Sequence, residues 1–155
     1  MSFVVATDAF VDQGSIPTKF TCDGQDVSPH LMWQNIPAGT KSLVLIMDDP
    51  DAPGRTFVHW IVYDMPATQN ELKENTPKTE TLAGGAKQGI NDFPRAGYGG
   101  PCPPRGHGVH RYYFKLYAVS KKLELAPKAS VEEVKAAMEG HIIAQTQIMG
   151  RYSRK

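Results

Sequence analysis

The stretch GGPCPPRGHGVHRYYFKLYA, residues 99–118, joins a loop rich in glycine and proline to a run of regular alternation. Because side chains alternate across a strand, residues 110–119 predict a strand with two different faces. One face begins with His110 and Tyr112 and continues with apolar residues, while the other carries charged residues and tyrosines. Detailed loops of this kind often present backbone amides to a ligand. The stretch therefore predicts a strand that opens with an inward-facing histidine and tyrosine beside a stiff loop.

Short apolar segments elsewhere indicate a chain built mainly of strands. We expect further strands at residues 3–6, 19–22, 30–33, 42–47, 57–65 and about 147–152. The segment 42–47 is continuously apolar, which is typical of a central strand covered on both faces. The polar, turn-rich segment 66–97 predicts an excursion on the surface.

One helix is expected near the end of the chain. Ser130 and Glu133 have the spacing of a capping box, and an apolar stripe at helical spacing then extends to Ile142. One helix among many short strands predicts a β-rich α+β fold with antiparallel sheets.

The bulk composition limits the classes of partner. The 155 residues suit one domain, and 17 basic against 16 acidic residues leave a formal net charge of +1. This balance gives no field that would favour nucleic acid. The longest apolar runs are too short to cross a bilayer, so no membrane insertion is expected. The first residues lack a basic segment followed by a long apolar one, so we expect a cytoplasmic protein.

The two cysteines, Cys22 and Cys102, allow two interpretations. In a cytosolic chain both would be reduced and partly buried thiols. A single disulfide that bridges two loops is the alternative. Neither cysteine belongs to a Cys-x-x-Cys pair, so no structural zinc site is expected.

Two further segments carry polar residues where a strand would place them inside. In DDPDAP, residues 48–53, Asp49 follows the apolar strand and two prolines stiffen the turn. The alternative role for Asp49 is to cap backbone amides of that turn. In FVHWIVYDM, residues 57–65, strict alternation puts His59 on the same face as Tyr63. A buried histidine needs a hydrogen-bond partner, so His59 is either a satisfied core residue or part of a site.

Together these residues suit a site for a small anion. The two histidines and Tyr112 can donate hydrogen bonds to one point, and the amides of Gly99 and Gly100 can join them. The prolines of the loop would form apolar walls. A carboxylate such as Asp49 fixes a histidine tautomer and favours the imidazolium, which attracts a phosphate-like group. The same carboxylate repels a bare anion, so a zwitterionic or partly protonated ligand fits better.

An enzyme and a metal site are the two alternative functions of these residues. Cys102 near His110 or His59 would provide a thiol nucleophile and a base. The chain has no GxSxG, HExxH or P-loop pattern, so catalysis is not expected. The metal alternative would use Asp49, His59, His107 and His110. Residues three apart in a strand point to opposite faces, which separates His107 from His110, and neither a metal nor a cofactor is expected.

Several motifs resemble signatures of the phosphatidylethanolamine-binding protein family, also called Raf-kinase-inhibitor-like proteins. In chain order they are DVSPHLMW (26–33), IPAGTKSLVLIM (36–47), DPDAP (49–53), HW (59–60) and GPCPPRGHGVHRYYFKLYA (100–118). The resemblance covers about residues 10–152, and the chain is similar to the bacterial and archaeal branch. It implies a single domain, residues 1–155, with a β-sandwich-like core of two antiparallel sheets, a few flanking helices and one anion pocket. The pocket residues that it implies are Asp49, His59, Gly100, Pro101, His110 and Tyr112.

The resemblance also implies a function. We expect a non-catalytic binding protein for a small anionic or zwitterionic ligand of the phosphate or phosphoethanolamine type. The family name adds the hypothesis of a kinase or protease inhibitor or a modulator of lipid-related signalling, and this branch implies a homodimer. Cysteines at positions like Cys22 and Cys102 occur in the branch, which favours the disulfide. The segment GRTF (54–57) lacks a tyrosine that lines the site in animal members, so one wall is expected to differ.

Overall fold

The computed structural model describes residues 1–155, which form eight strands and one α-helix. The strands are β1 (Val4–Ala6), β2 (Leu31–Gln34), β3 (Ser42–Asp49), β4 (Phe57–Pro66), β5 (Glu71–Leu72), β6 (Lys87–Gln88), β7 (His110–Val119) and β8 (Ile142–Tyr152). The helix α1 is Val131–Met138. One sheet has the order β1-β2-β5 and the other has the order β6-β4-β3-β7-β8. All the strand pairs are antiparallel, so the predicted β-rich α+β fold is confirmed.

The strand β3 lies at the centre of the large sheet, and all eight of its residues are buried. Leu43, Leu45 and Met47 pack between the two sheets, whereas Val44 and Ile46 pack on the opposite face against α1. A strand covered on both faces has no polar side to present to water, which explains its continuous apolar sequence.

The strand β7 has the predicted bounds and the predicted faces. Tyr112, Phe114 and Leu116 are fully buried in the core between the sheets, and His110 is buried beside them. On the other face Arg111 is exposed. Because β7 pairs with β3, its first residues lie next to the end of β3, where Asp49 is found.

Three of the predicted elements differ from the structure by more than two residues, and one of them is the last strand, β8, which begins at Ile142 and not near residue 147. Residues 19–22 do not form a strand, because the chain makes a short 3-10 turn at Thr18–Phe20. The helix α1 has the predicted capping box but ends at Met138, and Gly140 adopts a φ of +79° that lets the chain reverse. Ile142 therefore begins β8 instead of extending the helical stripe.

A β-bulge in β4 changes the face on which His59 lies. Met47 of β3 pairs with Trp60, and the next residue, Asp48, pairs with Val58, so His59 is an extra residue on its strand. The bulge breaks the strict alternation that placed His59 with Tyr63. Tyr63 packs against the α1 side of the sheet, whereas the His59 ring lies on the other side with Tyr112.

The segment 66–97 does more than cross the surface. It contains β5 and β6, and its fully buried Gln88 accepts a hydrogen bond from the indole of Trp60 at 2.7 Å. The Gln88 amide donates to the carbonyls of Pro77 and Thr79, which fastens this segment to the large sheet. None of the helices has the length and apolar content needed to span a membrane.

Candidate functional site

A cavity of about 180 Å³ opens at the end of the large sheet where β3 ends and β4 and β7 begin. Its lining residues are Asp49, Ala52, Pro53, Phe57, His59, Phe93, Cys102, Pro103, Pro104, His110 and Tyr112. Four of the six residues expected from the sequence are among them. The antiparallel order β4-β3-β7 brings these four together, because it places the end of β3 between the starts of its two neighbours.

Asp49 is held in place from two sides. One carboxylate oxygen, Oδ1, accepts a hydrogen bond from the backbone N–H of Asp51 at 2.8 Å, which is the turn-capping role weighed from the sequence. The other oxygen, Oδ2, is 2.7 Å from Nδ1 of His110, and both side chains are buried. Asp49 therefore fills both roles, and it places the proton of His110 on Nδ1.

The second nitrogen of His110 is also occupied. Its Nε2 lies 2.6 Å from Nδ1 of His107, which is exposed on the loop before β7. When both rings are neutral, His107 donates and His110 accepts, since Nδ1 of His110 already carries the proton. The expectation that these residues point apart was wrong, because His107 precedes the strand and does not follow its alternation. No group of three or more His, Cys, Asp or Glu side chains is arranged to hold a metal ion.

His59 presents a free nitrogen to the cavity. Its Nδ1–H donates to the carbonyl oxygen of Gly99 at 2.7 Å, and Nε2 makes no hydrogen bond within the protein. The ring packs edge-on against Phe93 and Tyr112, with centroids 5.3 and 5.2 Å away. Burial lowers the pKa of His59, although the Gly99 carbonyl and the Asp49 charge oppose this. A neutral His59 therefore offers a hydrogen-bond acceptor to the cavity.

Tyr112 places an unpaired hydroxyl on the cavity wall. The side chain is 0% exposed, and its oxygen has no hydrogen-bond partner. Burial, together with the charge of nearby Asp49, raises the pKa of Tyr112 far above its ordinary value, so the hydroxyl keeps its proton. Leaving a buried polar group unpaired costs about 1–3 kcal/mol. Such a group beside a cavity is a feature that a ligand can satisfy.

Gly100 and Pro101 lie behind the cavity wall. The amide of Gly99 donates to the carbonyl of His59 at 3.0 Å, and the amide of Gly100 donates to Asp26 at 2.8 Å. The expectation that these amides point at a ligand was therefore wrong, because both are used within the protein. Gly100 is needed for close packing, since a Cβ there would lie 2.3 Å from the carbonyl oxygen of Phe20.

Cys22 and Cys102 are joined by a disulfide, in agreement with the second interpretation of the two cysteines. Cys102 and the two prolines after it form one wall of the cavity. The amide of Cys22 also donates to the carbonyl of Pro101 at 3.1 Å, so the loop is tied twice to the segment after the 3-10 turn.

Sequence reasoning missed the aromatic rim of the cavity. Phe57 and Phe93 pack edge to face with centroids 4.9 Å apart. The sequence pattern indicates only a strand position for Phe57, and Phe93 lies in the segment that is predicted to be a surface excursion. Asn91 holds that segment in place by accepting from the amides of Phe93 and Arg95. The available signal was an asparagine, Asn91, two residues before Phe93, which is a spacing typical of a turn. No neighbouring residue indicated that this turn packs against the large sheet.

Two antiparallel sheets with a cavity at one end of the larger sheet, where a few polar groups lie among apolar walls, define a β-rich class of α+β protein. A sequence model of the phosphatidylethanolamine-binding protein family matches residues 6–153. The chain therefore belongs to this family.

Relatives and solved structures agree with this assignment. A UPF0098 protein from Aquifex aeolicus is 56% identical over 151 residues, which cover 97% of this chain and 88% of that protein. The crystal structure of Escherichia coli YbcL, described as a new member of the mammalian PEBP family, gives a TM-score of 0.92 at 34% identity and covers 100% of both chains. LppC of Mycobacterium tuberculosis, which is named as a lipoprotein, is 38% identical and covers 96% of this chain and 71% of that protein.

Proposed function

We propose that this protein binds a small phosphorylated ligand by placing its phosphate group in the cavity. The buried, unpaired hydroxyl of Tyr112 is the observation that carries the proposal. It donates one hydrogen bond, while Nε2 of neutral His59 accepts one. A phosphate monoester that keeps one acidic proton has both an acceptor oxygen and an O–H donor, so it matches this pair.

The size of the cavity limits which part of a ligand enters it. Pockets for drug-sized ligands typically measure about 300–1,000 Å³, whereas this cavity measures about 180 Å³. It suits a headgroup and excludes whole acyl chains. Phosphate and phosphoethanolamine share the required chemistry, and the amine of the latter would lie near the rim formed by Phe57 and Phe93, where a cation meets aromatic faces.

The pKa of His59 sets the direction of the pH dependence. Because burial lowers that pKa, the ring is neutral at pH 7, and one proton must lie between Nε2 and the ligand oxygen. Raising the pH removes this proton from the ligand, whose second pKa is about 6. Affinity for phosphoethanolamine is therefore expected to fall as the pH rises from about 6 to about 8.

NMR titration with phosphoethanolamine, inorganic phosphate and sulfate at both pH values tests this. Sulfate stays a dianion throughout, so it separates titration of the protein from titration of the ligand. The variants His59→Ala and His110→Ala are expected to weaken binding at least ten-fold. The matched control is His141→Ala, because His141 is an exposed histidine before β8. Phosphate binding that both site variants leave unchanged, or that does not respond to pH, would contradict the proposal.

We also propose that the protein binds its ligand without a catalytic step and without a cofactor. The sequence alternative required Cys102 as a thiol nucleophile, and its sulfur is engaged in the disulfide with Cys22. His110 does pair with a carboxylate as a general base would, but its other nitrogen contacts His107, and no serine, threonine or free cysteine lines the cavity. Incubation with a chromogenic phosphate monoester and a carboxylic ester, with product formation measured, tests this statement.

The finer expectations from the family remain proposals. Inhibition of a kinase or protease, or a signalling role, is a hypothesis that the family alone supports. A homodimer is likewise a prediction, and light scattering on the purified protein tests it. For location, the disulfide favours an oxidising compartment over the expected cytoplasm, since structural disulfides are rare in reducing cytosol. Thiol labelling of the protein in intact cells, before and after reduction, tests where the disulfide persists.

A further inference from the structure

We propose that His107 is a latch on the cavity: it competes with the bound ligand for Nε2 of His110 and thereby sets the ligand affinity. This inference rests on the proposed binding of phosphate in the cavity. It assigns a role to a residue that the anion-site interpretation of the sequence did not include.

Both nitrogens of His110 are engaged by other side chains of the protein. Nδ1 is 2.7 Å from Asp49, and Nε2 is 2.6 Å from His107. The contact with Asp49 is buried and is braced by the amide of Asp51. The contact with His107 is made by an exposed side chain. If His110 is to donate to a ligand, the contact with His107 is the one that gives way.

The position of His107 allows its ring to leave. Gly106 and Gly108 flank it with φ angles of +73° and +95°, and neither has a protein atom within 4 Å of the place where a Cβ would be. The backbone is still anchored, because the amide of His107 donates to Pro104 at 3.1 Å. A rotation of the side chain is therefore sufficient, and no loop movement is needed.

The ring of His110 forms part of the wall between two spaces. His110 lines the cavity, and it also lines an open outer groove of about 410 Å³ together with His107 and Arg151. The released His107 ring can turn into this groove, which is open to solvent. The ligand then approaches His110 from the cavity side.

The exchange is a competition for one nitrogen. A ligand oxygen accepts from the Nε2–H of His110, and the proton needed on Nε2 comes from the acidic O–H of the ligand or from solvent. The Asp49 carboxylate lies 2.7 Å from Nδ1 on the other side of the ring, so the positive charge that forms has a counter-charge within the protein. Because His107 and the ligand cannot both hold Nε2, the free energy of the histidine pair reduces the affinity of the ligand. A typical hydrogen bond of this kind corresponds to a factor of about two to ten.

Three substitutions of His107 separate the latch from other roles. His107→Ala removes the contact and is expected to bind inorganic phosphate about two- to ten-fold more tightly than the natural protein. His107→Phe keeps a ring of similar size without a donor, so it is expected to bind more tightly as well. His107→Asn keeps an amide N–H near the position of Nδ1 and is expected to restore the natural affinity. All are measured by the same NMR titration at constant pH.

A measurement without ligand tests the latch separately. Diethyl pyrocarbonate acylates free imidazole nitrogens, and mass spectrometry of peptides locates the modified histidine. His110 is expected to be protected in the natural protein and in His107→Asn, and to react faster in His107→Ala. The exposed His141 serves as an internal control that reacts equally in all.

Weaker or unchanged phosphate binding by His107→Ala would overturn the latch, as would equal acylation of His110 in all variants. Tighter binding by His107→Ala but not by His107→Phe would also overturn it, because the ring alone would then block the site. If no protein, natural or variant, bound phosphate, the proposed function would fail. The acylation pattern would then decide by itself whether His107 covers His110.

Discussion

Asp48 and Asp49 are neighbours on β3, yet they lie in two different environments. Both carboxylates are buried, with 3% of each residue exposed. Asp48 faces the α1 side of the sheet and lies 3.1 Å from the ammonium of Lys115, whereas Asp49 faces the cavity and lies 2.7 Å from His110. One peptide bond therefore separates a carboxylate paired with a lysine on the α1 side of the sheet from one paired with a histidine that lines the cavity.

The two carboxylates therefore belong to two groups of residues: one group stabilises the sheet, and the other lies where a ligand can contact it. Asp48 does not line the cavity and its partner Lys115 lies on the opposite face of the sheet from it, so this pair is structural. On the cavity side, His59 and Tyr112 have unpaired polar atoms, and His110 has a contact with the exposed His107 that a ligand can replace. The following predictions test that separation, from the largest expected effect to the smallest.

Removal of the disulfide, with Cys22→Ser and Cys102→Ser together, is expected to have the largest effect on stability. The cross-link joins residues 80 positions apart, and a loop of that length corresponds to about 4 kcal/mol of unfolding free energy in the chain-entropy account. Because Cys102 forms a wall of the cavity, phosphate affinity is expected to fall as well. Denaturant unfolding and NMR titration measure the two effects. A stability loss below about 1 kcal/mol would show that the cross-link does not hold this side of the molecule.

Substitution of Lys115 by Met tests the structural side. It leaves the Asp48 carboxylate buried without its cation, which is expected to cost about 2–3 kcal/mol, somewhat less than for a fully buried pair because Lys115 is partly exposed. Phosphate affinity is expected to stay the same. The double variant Asp48→Asn, Lys115→Met is expected to recover most of the stability, since no charge then remains buried. A change in affinity with either variant would break the separation between the two faces.

Substitution of Tyr112 by Phe tests the cavity side with a change of one atom. Phosphate affinity is expected to fall about ten-fold, since a hydrogen bond to a charged ligand contributes about 1.5 kcal/mol or more. The unliganded protein is expected to be equally stable or more stable, because the hydroxyl that is removed has no partner. Thermal unfolding and phosphate titration are measured side by side. A less stable variant with unchanged affinity would assign Tyr112 to the core.

Substitution of Arg111 by Gln is expected to have the smallest effect, and one that depends on pH. Arg111 lies on the outer face of β7, where its guanidinium donates to Asp51 at 2.8 Å through two nitrogens. This pairing lowers the pKa of Asp51 to about 2. The unfolded value is about 3.9, so the stabilisation is complete above that pH and is lost as the pH falls through about 2. The natural protein and the variant should therefore differ slightly at pH 6 and converge near pH 2 in unfolding experiments.

Local sequence patterns predicted much of the sheet. The strand β7 begins and ends where the alternation does, and Tyr112 lies on the predicted face, because alternation is a property of the extended backbone itself. The same alternation predicted the wrong face for His59, because the extra residue of the bulge shifts the alternation of faces along β4 by one position. Such a bulge depends on how β3 and β4 align, and the residues near His59 do not reveal that alignment.

The candidate site was predictable in its composition but not in its hydrogen bonding. The sequence brought Asp49, His59, His110 and Tyr112 into consideration, and the family resemblance supported the same group. The sequence could not show that His107 contacts Nε2 of His110, because that contact depends on the path of a loop outside any regular element. Nor could it show that the glycine amides were already used.

The sequence by itself determined which chemical groups this protein can bring to a small ligand and which strand faces they start from. Extended backbone and proline-restricted turns depend on neighbouring residues, and those rules apply before any long-range contact forms. The tertiary structure alone decided which donors and acceptors remain free: the hydroxyl of Tyr112 and Nε2 of His59 are unpaired, and both nitrogens of His110 are engaged. The reason is that each hydrogen bond needs a partner from a distant segment, and only packing of the whole chain brings those partners within 3 Å or so.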